Sequence, residues 1–129
     1  MQREFEPIRV VIAEDNVDLS AAVCALLESE PDITVVGTTD RADALLDTVR
    51  HGQARVVVLD LNLAGRSSVP AMETMRRELP GVAVVIYSGY DRHDVAGALP
   101  MVGAVEFVSK SGDVADLLQA VRRVAAVQA

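Results

Sequence analysis

The sequence has few of the features that would tie the chain to a membrane or cross-link it. It holds a single cysteine, Cys24, so it can form no internal disulfide, and this fits a reducing compartment. Residues 1–7 contain no apolar stretch of the kind found in secretory signals. No apolar run approaches the roughly 18 residues that span a bilayer. We therefore expect a cytoplasmic protein that makes no contact with membranes.

Basic clusters and nucleotide-binding loops are also missing. The chain has 19 acidic and 12 basic residues, which gives a formal net charge of −7 at pH 7. Such a chain repels nucleic acid and anionic lipid unless a local basic patch offsets its field, and no basic run occurs. A glycine-rich phosphate loop is absent as well. These absences argue against nucleic-acid contact by this domain itself and against a nucleotide-dependent enzyme.

The sequence does contain a regular alternation of strand and helix patterns. With 129 residues, 50% of them hydrophobic, it should form one domain with a proper core. Five apolar, β-rich runs predict strands at 8–13, 33–36, 56–59, 82–87 and 105–108, each followed by a helical pattern. This predicts an α/β fold, a single doubly wound flavodoxin-like (βα)5 domain with parallel strand order 2-1-3-4-5. We expect residues 1–129 to form this domain, with its core at about 8–124.

Short polar residues stand where the predicted helices begin. Asp15 or Asn16 precedes the first helix, Asp40 the second, and Ser67 or Ser68 the third. Side-chain oxygens at these positions accept hydrogen bonds from the free amides of a helix start. Each of these residues is therefore a predicted N-cap.

Polar side chains also follow four of the predicted strands. Glu14 and Asp15 follow the first, Asp60 the third, Ser88 the fourth and Lys110 the fifth. Because parallel strands end at one edge of a sheet, we expect these side chains to converge. Clustered carboxylates either have raised pKa values or are neutralised by a cation, and oxygen ligands with open positions suit Mg²⁺. A lysine and a hydroxyl beside them suit a phosphoryl group whose acceptor is a carboxylate. Taken alone, Asp60 could instead simply end a strand.

Four short motifs, in this order along the chain, resemble the receiver domain of two-component response regulators. They are Ala13-Glu14-Asp15-Asn16, Leu59-Asp60-Leu61-Asn62 followed by Gly65, Tyr87-Ser88-Gly89, and Phe107-Val108-Ser109-Lys110. Separations of 45, 28 and 22 residues between Asp15, Asp60, Ser88 and Lys110 fit the same family. The resemblance extends over nearly the whole chain, from about Ile8 to Val124.

The resemblance implies a regulatory phosphoacceptor rather than an enzyme that acts on an external substrate. Asp60 would accept a phosphoryl group from a phosphohistidine on a sensor histidine kinase or a histidine phosphotransfer protein. Asp15, Asp60 and the backbone carbonyl of Asn62 would hold Mg²⁺. Glu14 would lie in the acid pocket and reach the metal through water. The chain would thus be a signalling switch in a two-component system or phosphorelay.

The family pattern also implies how the signal is passed on. Ser88 would bond the phosphoryl group, Lys110 would pair with it, and the switch aromatic Phe107 would turn inward. Tyr90 and Asn62 would tune dephosphorylation by hindering attack of water. An output partner or domain would bind the face formed by the fourth predicted helix (about 91–99), the fifth predicted strand and the last predicted helix. The resemblance leaves room for a phosphorylation-dependent homodimer.

The sequence departs from the family pattern at two positions. Ser111 follows Lys110, where many receivers have a proline after a cis peptide bond, so the conformation of this bond is left open. The acid pair is Glu14-Asp15 rather than two aspartates, which adds a methylene to the metal site.

Two other classes of protein compete with a phosphorylation-driven switch. One is a degenerate receiver that acts as a constitutive protein-binding module, and the presence of every chemical residue argues against it. The other is a small α/β hydrolase that passes through an aspartyl phosphate. Asn62 argues against the hydrolase, because no second acid stands two residues after Asp60.

Overall fold

The computed structural model describes residues 6–89 and 105–128. Within these ranges the five predicted strands and all predicted helices except the fourth are present, together with two short strands that were not predicted. In chain order they are β1 (Ile8–Ala13), α1 (Val17–Glu28), β2 (Ile33–Thr39), a 3-10 turn (Ala42–Ala44), α2 (Leu45–Gly52), β3 (Val56–Leu59), β4 (Asn62–Leu63), β5 (Arg66–Ser67), α3 (Val69–Glu78), β6 (Ala83–Ser88), β7 (Val105–Ser109) and α4 (Ala115–Gln128). The fourth predicted helix lies outside the described residues.

Five of the strands form one parallel sheet in the order β2-β1-β3-β6-β7. In terms of the five predicted strands this is the order 2-1-3-4-5, so the predicted topology is confirmed. Strand β3 lies at the centre between β1 and β6, and its four residues are all buried. This explains its continuous apolar sequence, because a central parallel strand is covered on both faces. The carboxyl ends of β1, β3, β6 and β7 are thereby neighbours.

Helices cover both faces of the sheet. Helices α1 and α4 pack on one face through Leu27 and Leu117, which are fully buried, and α2 and α3 pack on the other through Leu45 and Met72. Burying such a side chain stabilises the fold by about 1.5–3 kcal/mol, which makes the sheet a firm platform for its rim. In the described part of the chain, none of the helices combines the length and hydropathy needed to cross a bilayer.

Helix α4 is fastened to the loop before β2 by a bidentate ion pair. The Arg122 guanidinium donates to both carboxylate oxygens of Asp32, at 2.8 and 2.9 Å, and to Oε1 of Glu30 at 2.6 Å. The hydrogen bonds from Arg122 hold the pKa of Asp32 below its ordinary value. This contribution to stability is therefore present above the ordinary pKa of an aspartate and is lost as the pH falls through the lowered one.

The helix starts agree only in part with the predicted caps. Asn16 caps α1, because its Oδ1 accepts from the Leu19 amide at 2.9 Å. Asp40 does not cap α2, which begins at Leu45 after the 3-10 turn, with no side-chain cap. Thr39 instead supplies the side-chain oxygen at this corner, where its Oγ1 accepts from the Arg41 amide. The prediction for Asp40 was therefore wrong.

Candidate functional site

Three carboxylates meet at the carboxyl edge of the sheet. Glu14 and Asp15 directly follow β1, and Asp60 directly follows β3. One carboxylate oxygen from each lies within 4.8 Å of the other two. Glu14 and Asp60 are buried, with 6% and 8% of their surface exposed, whereas Asp15 is open to solvent. The parallel topology thus brings together residues that are far apart in sequence.

Lys110 reaches into this cluster from the end of β7. Its ammonium Nζ lies 2.8 Å from Oε1 of Glu14 and 2.8 Å from Oδ2 of Asp60. The amine also lies 5.9 Å from the centre of the Tyr87 ring, within reach of a cation–π contact. The sequence contains no other lysine. The one ammonium side chain of this chain therefore bridges two of its buried carboxylates.

Burial and charge shift the acid–base properties of this group. Burial raises the pKa of Glu14, and the charge of Asp60 adds to this, while the hydrogen bond from Lys110 opposes it. Burial alone would lower the pKa of Lys110, but its bonds to Asp60 and Glu14 outweigh this and raise it. Lys110 therefore stays protonated at neutral pH. When all three carboxylates are ionised, one ammonium cannot neutralise them, so the site favours a further cation.

The donor set fits Mg²⁺. The three clustered side chains offer only carboxylate oxygens, the ligands that this hard cation prefers. Mg²⁺ usually keeps several of its waters, and the exposure of Asp15 leaves room for them. Asp15, Asp60 and Glu14 are thus the side chains that could hold the ion.

Two hydrogen bonds hold Asp60, one to its side chain and one to its backbone carbonyl. Oδ1 of Asp60 accepts from the Asn62 amide at 3.1 Å, and the Asp60 carbonyl accepts from Oγ of Ser68 at 2.6 Å. Ser68 is completely buried, although the sequence suggested only a helix cap. Its neighbour Ser67 does bond the start of α3, since its Oγ accepts from the Val69 amide at 3.2 Å. These bonds fix the direction in which the Asp60 carboxylate faces the site.

A small β-hairpin, which the sequence did not predict, forms one wall of the site. Strands β4 and β5 are antiparallel and are joined by Ala64 and Gly65, both with positive φ (53° and 80°). Such a pair matches the two-residue turns favoured in hairpins. Two side chains hold the turn: Oδ2 of Asp15 accepts from the Ala64 amide at 3.0 Å, and Oδ1 of Asn62 accepts from the Gly65 amide at 3.1 Å. Asp15 thus connects the acid cluster to the hairpin.

We expect the Ala64→Gly variant to be more stable than the unmodified protein, by up to about 1 kcal/mol. Alanine at positive φ is strained by roughly 1–2 kcal/mol, and glycine removes this strain at a smaller entropic cost. Urea denaturation with the slope held common measures the difference. The matched control is Ala22→Gly in the exposed middle of α1, where glycine should instead lower stability by about 1 kcal/mol. Equal losses in both variants would contradict the strain at Ala64.

The remaining predicted site residues lie at the ends of β6 and β7 or beyond the described ranges. Ser88 is fully buried, and its carbonyl accepts from the Lys110 amide at 2.8 Å. Phe107 is partly buried and packs against the core face formed with α2 and α3. Tyr90 and the fourth predicted helix lie outside the described residues. The inward movement of Phe107 and the roles of Tyr90 and Asn62 in dephosphorylation stay predictions.

The peptide bond between Lys110 and Ser111 is trans. The loop after β7 is instead closed by serine side chains, and no sequence motif predicted these contacts. Oγ of Ser109 accepts from the Ser111 amide at 3.2 Å, and the two hydroxyls lie 2.7 Å apart. The Gly112 amide donates to the Ser109 carbonyl at 3.2 Å.

Comparison with known proteins agrees with this arrangement. The chain is 30% identical over 122 residues to the transcriptional regulatory protein MctR of Rhizobium johnstonii, covering 95% of this chain and 57% of that protein. It is also 30% identical to the nitrate/nitrite response regulator protein NarL of Escherichia coli, covering 94% of this chain and 56% of NarL. The chain therefore spans about half the length of these curated relatives.

A solved structure and a family model agree with these sequence matches. The signal receiver domain of the putative response regulator NarL from Mycobacterium tuberculosis superposes with a TM-score of 0.82 at 27% identity. That match covers 94% of this chain and 98% of the other. The family model for the response regulator receiver domain matches residues 10–122, which is most of the sequence. The chain therefore belongs to the response regulator receiver domain family.

Proposed function

We propose that this domain is a phosphorylation-dependent switch in which Asp60 accepts a phosphoryl group from a phosphohistidine. The observation that carries the proposal is the setting of the Asp60 carboxylate. It is buried, it is directed by the Asn62 amide, and its Oδ2 is 2.8 Å from the Lys110 ammonium. A carboxylate oxygen attacks phosphorus, the phosphorus–nitrogen bond of the donor breaks, and its electron pair returns to the imidazole, which takes up a proton. The product is an aspartyl phosphate.

The neighbouring residues have separate roles in this step. The Lys110 ammonium moves from the carboxylates to a phosphoryl oxygen, and the Ser88 hydroxyl donates to another. Mg²⁺, held by Asp15, Asp60 and the Asn62 carbonyl, with Glu14 in contact through water, would supply positive charge against the transferring group. The protein itself contributes position and charge, which is most of what phosphoryl transfer requires.

The phosphorylated state would be passed on through a surface at the β7 edge of the sheet. We propose that the output partner or domain binds the face that contains β7, α4 and the fourth predicted helix. Phe107 on β7 is the residue whose rearrangement would couple this face to Ser88. Tyr90 and Asn62 would set the lifetime of the signal by hindering water. The relatives are named as transcriptional or nitrate/nitrite regulators, so the proposed output is the control of transcription.

The proposal is tested by incubating the protein with acetyl phosphate, with and without Mg²⁺. We expect one phosphoryl group per chain, dependent on Mg²⁺ and released by hydroxylamine, as an acyl phosphate should be. Intact mass spectrometry and Phos-tag gels measure it. A protein that stays unmodified at high acetyl phosphate would instead be a degenerate receiver that binds partners constitutively. Rapid turnover of small phosphate esters would identify a hydrolase.

A further inference from the structure

The backbone of Lys110 is held on the strand side by a bond of its own amide and on the loop side by bonds between the residues that flank it. On the strand side, the Lys110 amide donates to the Ser88 carbonyl at 2.8 Å. On the loop side, the chain turns at once, and hydrogen bonds centred on Ser109 close this turn. The side chain itself must extend to two carboxylates at 2.8 Å each. Its reach therefore depends on how firmly the turn holds the backbone.

We propose that Ser109 is a positioning residue for Lys110, and that its hydroxyl keeps the lysine directed into the acid cluster. The expected effect of Ser109 on phosphoryl transfer rests on the proposed function. Its effect on the position of Lys110 does not. Ser109 acts through Lys110 and need not touch the phosphoryl group. Its side chain closes the turn in a chain that has no proline after the lysine.

The side-chain bonds of Ser109 depend on its hydroxyl, whereas the bond to its backbone carbonyl does not. Its Oγ accepts from the Ser111 amide and lies 2.7 Å from the Ser111 hydroxyl, so one side chain fixes both the backbone and the side chain of the turn. Its carbonyl accepts from Gly112 and would survive a change of side chain. Replacing Ser109 by alanine therefore loosens the turn without removing it. Replacing Ser111 by alanine leaves the bond from its amide to Ser109 in place and should have a smaller effect.

The position of Lys110 can be measured directly, because no other lysine competes for an amine reagent. Trinitrobenzene sulfonate is applied at a fixed pH, and peptide mass spectrometry separates the Lys110 product from the N-terminal one. An amine bound to two carboxylates reacts slowly, and one released from them reacts faster. The variants are Ser109→Ala, Ser109→Thr and Ser111→Ala. Ser29→Ala is the matched control, because its exposed hydroxyl also bonds the backbone, at Leu26, but far from the site.

We expect Ser109→Ala to speed the labelling of Lys110 by roughly two- to tenfold, the range that corresponds to one lost hydrogen bond. Phosphorylation by acetyl phosphate should slow by a similar factor, Ser109→Thr should restore both rates, and Ser29→Ala should change neither. Thermal melting checks that each variant is folded. Unchanged labelling in folded Ser109→Ala overturns the proposal, and so does a failure of threonine to rescue it. If the unmodified protein takes up no phosphate, the proposed function fails, while the labelling still decides the role of Ser109.

Discussion

Replacing Asp60 by asparagine is expected to abolish phosphorylation by acetyl phosphate in the presence of Mg²⁺. An amide is almost isosteric with the carboxylate but is not a nucleophile at neutral pH, so the acyl phosphate cannot form. The Asn62 amide can still donate to the remaining oxygen, whereas the new amide nitrogen faces the Lys110 ammonium and loses that contact. We expect at least a hundredfold loss, measured as the fraction of chains that carry one phosphoryl group.

This experiment needs controls which show that Asp60→Asn removes the phosphoryl acceptor and changes nothing else that phosphorylation requires. Asp47→Asn is the matched control, because Asp47 is an exposed carboxylate on α2, away from the site, and its replacement should leave phosphorylation unchanged. Thermal melting establishes that Asp60→Asn remains folded. Normal phosphate uptake by the Asp60→Asn variant would show that another group is the acceptor. Peptide mapping would then distinguish Asp15 from a site elsewhere.

The main sheet could be predicted because its sequence signal is local and its topology is restricted. Val56 to Leu59 form a continuous apolar run, which is typical of a strand buried on both faces, and they prove to be the central strand. Once five such strands alternate with helices, only a few parallel orders remain. The convergence of Glu14, Asp60 and Lys110 follows from this order, although they are distant in sequence.

The wall of the site could not be predicted in the same way, because its contacts depend on the completed fold. The turn at Ala64-Gly65 lacks the asparagine–glycine pair that usually marks a hairpin, and alanine disfavours positive φ. It is held by Asp15, which is 49 residues away. Ser68 looked like a helix cap, yet the hairpin turns its hydroxyl back onto the Asp60 carbonyl. Such side-chain bonds leave no periodic pattern in the sequence.

Replacing Lys110 by methionine is expected to destabilise the metal-free protein and to make Mg²⁺ more stabilising. Without the ammonium, Glu14 and Asp60 face each other as buried carboxylates that have no other ion pair among residues 6–89 and 105–128. Leaving a fully buried charge unpaired costs about 3–5 kcal/mol, and the partial exposure of Lys110 suggests roughly 1–3 kcal/mol here. A divalent cation can replace the lost charge, and a ligand that binds only the native state stabilises it.

Thermal melting over a Mg²⁺ series measures both effects. The rise in the melting temperature should be larger for Lys110→Met than for the unmodified protein, and Lys110→Arg, which keeps the charge, should follow the unmodified protein. Sodium chloride at equal ionic strength corrects for screening, which would relieve carboxylate repulsion without any specific site. Asp15→Ala should weaken the response of both backgrounds, because it removes one of the three clustered carboxylates. If Mg²⁺ raises the melting temperature of Lys110→Met no more than that of the unmodified protein, the ammonium and the metal do not compensate the same charges. If Asp15→Ala leaves the Mg²⁺ response of both backgrounds unchanged, the acid cluster is not the metal site.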